Sequence, residues 1–330
     1  NDLVPNSRWY SGSGIYRDVY LVRTNEIHFD HFGVRCATNG IYPKQDTALL
    51  QIRAQVVNDG STAENVGVLH KIYDRDGKLV STSGIALYLE PGESSDCMVR
   101  PTVESPHLWT DEEPYLYTLV STVVSDGREL DSFACKTGIR TAVFDADQGF
   151  LLNGEAVKIK GMCVHHDCGL TGAVGYRESW ERRLKELKDM GCNGIRCSHN
   201  PPAPVLLALC DELGFLVMDE AYDEWLLAKN KTDNYYSENL AYGSSMFFTN
   251  HAKEDLTAML RRDYNHPSVV IWSIGNEIPE QSSVDGVKIL KFLQDICHQE
   301  DSSRMVTSAC DNIAAVEPIR TLREFENALD

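Results

Sequence analysis

Near residue 143 the hydrophobic pattern of the chain changes period, and no single layer of secondary structure suits both halves. Upstream, apolar and polar residues alternate in short runs, the signature of half-buried strands. Such runs occupy residues 14–23, 26–36, 47–57, 66–73, 80–89, 96–103, 115–124 and 129–137. Turn sequences separate several of them: Asn58-Asp59-Gly60, Asp74-Arg75-Asp76-Gly77, Pro91-Gly92 and Ser125-Asp126-Gly127. Short strands at this spacing predict a β-sandwich of the immunoglobulin type over residues 24–143. The first 13 residues are too few for a domain of their own and are expected to be the tail of something upstream.

Downstream, continuous apolar runs alternate with helical patterns. Strands are expected at 157–161, 194–197, 215–218, 268–274 and 305–309. Helices are expected at 205–213, 251–264 and 284–297, at 318–329, and from a Ser179 cap to Met190. Gly191 and Gly214 close two of these helices. Strands apolar on both faces and flanked by helices mean a parallel sheet. Five such units fit either an open doubly wound sheet or the start of a (β/α)8 barrel.

Two features favour the barrel. Gly161-Met162-Cys163-Val164-His165-His166 is unlike a dinucleotide-binding loop. Polar residues also follow nearly every strand: His165, His166 and Asp167; Ser198, His199 and Asn200; Asp219 and Glu220; Asn276 and Glu277. Polar side chains donated by successive strand ends make a barrel active site. The expected fold is therefore multidomain, β followed by α/β: a sandwich, then an incomplete TIM barrel over residues 144–330.

The net charge of -18 argues against a nucleic-acid partner, which needs Lys and Arg to displace counterions. A neutral substrate suits it better. No run of about 18 apolar residues could span a membrane. The N-terminus lacks a signal-peptide pattern, and both bacterial periplasm and cytoplasm are compatible with the chain. The ten cysteines are scattered and several fall in apolar segments, so no disulfide framework is expected. His165, His166 and Asp167 with Cys163 and Cys168 raise a metal cluster as an alternative. Adjacent strand histidines point to opposite faces, however, and the spacing fits no standard zinc pattern.

Four segments carry a family resemblance. They are Gly161-Met162-Cys163-Val164-His165-His166, Arg196-Cys197-Ser198-His199, Asp219-Glu220-Ala221, and the run from His266-Pro267-Ser268 through Trp272-Ser273-Ile274-Gly275-Asn276-Glu277. Further matches are Ser13-Gly14-Ile15-Tyr16-Arg17-Asp18-Val19, Leu108-Trp109, Pro114-Tyr115-Leu116-Tyr117 and Gly138-Ile139-Arg140. In this order they resemble glycoside hydrolase family 2, and within it the β-galactosidases.

The resemblance implies a retaining exo-β-glycosidase hydrolysing terminal β-galactosides by double displacement, with a carbohydrate substrate and a jelly-roll tail at residues 1–23. Such chemistry needs two carboxyls roughly 5–5.5 Å apart, one an acid/base and one a nucleophile. Glu277 matches the acid/base. Asn276 matches the residue that bonds the sugar 2-hydroxyl. His165 and His199 match side chains lining the sugar site, and Arg196 an arginine near the nucleophile. Asp219 is placed in the substrate site, its structural alternative being a pairing across the barrel mouth, and Trp225 as a stacking platform for a sugar ring. Each of these two has a purely structural alternative.

The resemblance lapses in two places. Some family members hold magnesium with a Glu and a Thr-His just after Asp-Glu-Ala. Here Glu224 is followed by Trp225 and Leu226, so the magnesium pattern is not met and no cofactor is expected. The family's nucleophile follows the seventh barrel strand. Residues 144–330 number 187, whereas a complete barrel takes about 250. The nucleophile is expected beyond residue 330, in a chain cut at both ends and inactive alone. Open strand edges would favour pairing with another copy. Competing readings are a β-glucuronidase or another member of the family, a non-catalytic carbohydrate-binding module, and a metal-dependent hydrolase.

Overall fold

A computed structural model describes residues 14–229, 243–311 and 329. Eight strands occupy the first half: β1 (Ile27–Tyr42), β2 (Thr47–Asn58), β3 (Glu64–Tyr73), β4 (Leu79–Leu89), β5 (Ser94–Val99), β6 (Thr102–Glu104), β7 (Tyr117–Ser125) and β8 (Arg128–Thr137). One antiparallel sheet runs β1-β2-β5, with β6 also on β2; the other runs β4-β3-β7-β8. Buried and part-buried residues alternate along β2 and β7, as the sequence period requires. Their inward residues, among them Leu50, Ile52, Val56, Val68, Ile72 and Leu119, form one core.

A small sheet of β9 (Ala142–Asp145), β10 (Gly149–Leu152) and β11 (Glu155–Ala156) leads into the second half. There β12 (Gly161–His165), β13 (Gly194–Ser198), β14 (Leu216–Glu220), β15 (Val269–Asn276) and β16 (Met305–Ala309) lie side by side in chain order. All four pairings are parallel. Helices α1 (Arg177–Asp189), α2 (Pro204–Leu213), α3 (Ser245–Asp263) and α4 (Val284–Glu300) connect them. Their apolar faces join the strands in a second core containing Trp180, Leu207, Phe215, Leu256, Trp272 and Leu293.

The sandwich docks on the ends where the parallel strands begin. Trp109 is fully buried there among Phe150, Leu216 and Val270, and its Nε1 donates to the Asp211 carbonyl at 2.9 Å. Arg140 donates to the carbonyls of Pro267 at 3.0 Å and Val269 at 2.7 Å. Arg35 and Arg261 both grip the Glu300 carboxylate at 2.8 Å. Gly138 has no room for a side chain: a Cβ would sit 2.8 Å from Pro267 and 2.9 Å from Trp109.

Several sequence expectations need correction. Residues 14–23 form no strand; Arg17 instead anchors the segment to the Pro201 carbonyl at 2.8 Å. The strand expected at 157–161 begins only at Gly161, because the Asn193 side chain accepts from Lys160 N at 2.7 Å just before the ladder. Helix α1 starts at Arg177 with no side-chain cap, so Ser179 lies inside it. Helix α3 starts six residues earlier than 251 because Glu224, remote in sequence, accepts from Ser245 N at 3.1 Å. The helix expected at 318–329 falls almost wholly outside the described residues. Among described residues, no helix is long and apolar enough to cross a membrane.

Candidate active site

Parallel strands finish at a common end, so the polar residues that follow them converge. Register decides which of them face one another. Cys163 pairs with Arg196, and Arg196 with Met218, so these share the inner face. Glu220 lies two residues beyond Met218 on the same face, opposite Ser273 of β15. Asp219, the residue between, must point to the helix side.

Glu220 is the hub of the inner face. It is fully buried, and four donors surround it. Arg196 Nε donates to Oε2 at 2.9 Å and Nη2 to Oε1 at 3.0 Å. Ser273 Oγ donates to Oε2 at 2.6 Å, and His199 Nδ1 lies 2.6 Å from Oε1. Burial alone would lower the Arg196 pKa; the Glu220 charge and hydrogen bonds outweigh it, and the guanidinium ends above its ordinary value.

From Arg196 the network continues to Asn276, whose Oδ1 accepts from Nη2 at 2.8 Å. Its Nδ2 donates to Asp223 at 2.9 Å. Lys229 Nζ reaches Asp223 at 2.9 Å and also the Asn276 carbonyl. The amide is thus held on both sides, with its oxygen toward Arg196. The His165 and His199 rings meet edge to face, 5.2 Å between centroids. His166 turns the other way, toward the Ala173 carbonyl and Trp180, as alternation on a strand requires.

Glu277 follows directly on β15. A register irregularity between Ser273 and Asn276 breaks the ladder there. Gly275 permits it, since a Cβ would lie 2.7 Å from both Ile278 and Ser308. Glu277 itself has φ 47°, a left-handed conformation that costs a non-glycine residue about 1–3 kcal/mol. Its amide donates to the Ala309 carbonyl at 2.8 Å, and its side chain is exposed at the strand end. Residues held in sparsely populated backbone regions cluster at functional sites.

The structure therefore gathers His165, Arg196, His199 and Asn276 around Glu220, with Glu277 adjoining Asn276. Two expected site residues are not there. Asp219 is fully buried on the helix side, where burial first and then the neighbouring Asp263 carboxylate push its pKa well above the usual range. Its carboxyl lies on the far side of the sheet from Arg196 and Glu220. Trp225 is also fully buried, donating to the Ile274 carbonyl at 2.8 Å and packing on Phe248. A sugar platform needs an exposed face, so Trp225 is core. Sequence reading placed Glu220 at a strand end without a role, and missed Asp223, Ser273 and Lys229 as members of the network. Glu220 had a signal, the two-residue period shared with Arg196; Lys229, in a loop, had none.

At the family's magnesium position the Glu224 carboxylate meets protein donors. The Glu224 carboxylate accepts from Lys229 N at 2.9 Å, Ser245 N at 3.1 Å and Ser244 Oγ at 3.3 Å. Among described residues, no three His, Cys, Asp or Glu side chains gather as metal ligands. A mostly apolar cavity of about 590 Å³ lies beside the strand ends, lined by Asn200, Tyr222, Phe247 and Phe248 among others. It contains neither Glu220 nor Glu277.

Parallel strands ending in a polar cluster, with an antiparallel sandwich docked at their starts, define a multidomain protein with a TIM-barrel domain. The family model described as glycosyl hydrolases family 2, TIM barrel domain, matches residues 143–325, and that of glycosyl hydrolases family 2 matches residues 34–140. The chain belongs to glycoside hydrolase family 2. It is 46% identical over 279 residues to beta-galactosidase BoGH2A of Bacteroides ovatus, covering 84% of this chain and 31% of that protein. A solved family 2 member from Bacteroides cellulosilyticus superposes with a TM-score of 0.90 at 36% identity, over 98% of this chain and 40% of that one. A Bacteroides uniformis beta-glucuronidase superposes with a TM-score of 0.76 at 30% identity, over 91% and 36%. The chain spans only 28% to 43% of the length of the first curated relatives.

Proposed function

We propose that this chain carries the acid/base half of a retaining exo-β-galactosidase. The observation that carries the reading is Glu277, an exposed carboxyl in a left-handed conformation beside a clamped Asn276 at the end of β15. In this reading Glu277 protonates the leaving glycosidic oxygen, then takes a proton from the water that frees the sugar. The second Nδ2 proton of Asn276 is offered to the sugar 2-hydroxyl, and His165 and His199 line the same pocket.

Glu220 is not the nucleophile. Its oxygens already accept from Arg196, His199 and Ser273, and no face is open for attack on an anomeric carbon. The nucleophile is proposed to follow residue 330, close enough to Arg196 to be held ionised. The same reading gives residues 24–143 as an immunoglobulin-like sandwich.

Galactoside is preferred over other sugars because the 46% identical relative is named a beta-galactosidase. Glucuronide is the second reading, supported by the beta-glucuronidase at 27% identity and the solved one at 30%. A panel of nitrophenyl glycosides tests both. Turnover of the β-galactoside by a protein that also carries the nucleophile is the expected result, and Glu277→Gln is expected to lose it on substrates with poor leaving groups. Preference for the glucuronide overturns the sugar assignment. Full activity of Glu277→Gln, on substrates with poor leaving groups, overturns the acid/base assignment. Robust turnover by residues 1–330 alone overturns the placement of the nucleophile.

A further inference from the structure

We propose that Glu220 is a positioning residue that sets what His199 and Arg196 present to the sugar. The inference rests on the glycosidase reading for its purpose, but on this geometry for its substance.

An ionised carboxylate only accepts hydrogen bonds. Glu220 Oε1 lies 2.6 Å from His199 Nδ1, so Nδ1 carries the ring proton. In the neutral imidazole Nε2 is then the acceptor. A sugar hydroxyl reaching Nε2 would therefore meet an acceptor. The opposite tautomer would offer a proton.

The same carboxylate fixes the guanidinium. Nε and Nη2 of Arg196 are taken by Glu220, and Nη2 also serves Asn276. Nη1 is the remaining nitrogen, on the side of Cys163, whose Sγ lies 3.9 Å away on the exposed inner face. Glu220 also offsets much of the Arg196 charge. Arg196 thus meets a ligand through one oriented nitrogen and a reduced field. Ser273 completes the arrangement by filling the last acceptor site of Glu220 at 2.6 Å. Every partner of this carboxylate comes from β13, the residue after it, or β15, so its burial locks two strand ends into one register.

The test has two arms. In the first, the chain labelled with ¹⁵N-histidine is examined by NMR at mildly alkaline pH, with His199→Phe to assign the resonance. His199 is expected as the Nδ1–H tautomer with an unprotonated Nε2. An Nε2–H tautomer overturns the proposal, and this arm needs neither a variant of Glu220 nor turnover. It therefore stands or falls separately from the glycosidase reading. In the second arm, Glu220→Gln is made in the active enzyme and in a His199→Phe background. The loss in kcat/KM is expected to be about 10²-fold in the first, and about tenfold smaller in the second because the two residues act through each other. Glu220→Asp, which keeps the charge, recovers part of the loss. Equal losses in both backgrounds would mean that Glu220 only stabilises the fold, and would overturn the proposal.

Discussion

The two halves of this chain treat buried charge in opposite ways. Among the described residues of the sandwich no carboxylate is buried; its buried polar residues are Asn58, His70, Ser121, Ser125 and Thr137. Among its described residues the parallel-sheet half buries eight: Asp211, Asp219, Glu220, Asp223, Glu224, Asp263, Glu280 and Asp301. Burying a charge is costly unless it is paired, and a buried pair is weak evidence for stability. The sandwich therefore reads as a scaffold held by apolar area. The parallel half spends stability on fixed charges, and at the strand ends those charges are arranged around the proposed sugar site. Near the strand starts, buried groups pair with each other, as with Asp301 and Arg304 at 2.6 Å and His266 and Asp211 at 2.5 Å.

That contrast can be broken at four places. The largest effect is expected at Glu277. Replacement by Gln should lower kcat on poor leaving groups by about 10²–10⁴-fold, with the thermal midpoint nearly unchanged; paired kinetics and melting curves check it. A large loss of stability instead would make Glu277 part of the structural set.

Trp109→Ala comes next, at the junction of the halves. It empties a fully buried site and should cost about 3–5 kcal/mol of stability, read by denaturant unfolding. Galactose affinity, measured by calorimetry, should not change, because the junction lies at the opposite end of the strands from Glu220.

The third concerns pH. His70 is buried with Nδ1 on Ser121 at 2.8 Å, and burial lowers its pKa to about 4. The unfolded histidine titrates near 6.5. Between these values the unfolded chain takes a proton that the folded sandwich refuses. Stability must fall as pH drops through that window, by about 3 kcal/mol at its lower end. His70→Gln should remove this slope in unfolding experiments run from neutral to acid pH. An unchanged slope would assign it to the carboxylates of the other half.

The smallest functional effect is expected at Asp219. Its raised pKa means that the folded state keeps a proton the unfolded state loses above about 3.9. Its contribution is full below that pH and declines as pH rises toward the folded value. Asp219→Asn should flatten this decline and leave sugar affinity unchanged. Weakened galactose binding would restore Asp219 to the site.

Much of this was legible in the sequence. The change of period near residue 143, the turns between strands, and the polar residues after each apolar run follow from local patterning. The family motifs named Glu277, Asn276, Arg196, His165 and His199, and the structure brings them to one end of the sheet. Local patterning could not show that α3 begins at Ser245, because its cap is Glu224, far back in the chain.

The sequence by itself determined which residue types stand at the strand ends, and with them the kind of chemistry they can perform. Only the tertiary structure decided which of two adjacent acids faces Arg196. Asp219 and Glu220 are one residue apart, yet the pleat sends one to the helices and the other to Arg196. The strand register then surrounds Glu220 with donors from β13, His199 and β15. Neither fact is local: facing depends on which side of the sheet the helices cover, and pairing depends on alignment with strands up to 53 residues away. The same holds for Trp225, an aromatic beside the proposed site in sequence and sealed in the core in space.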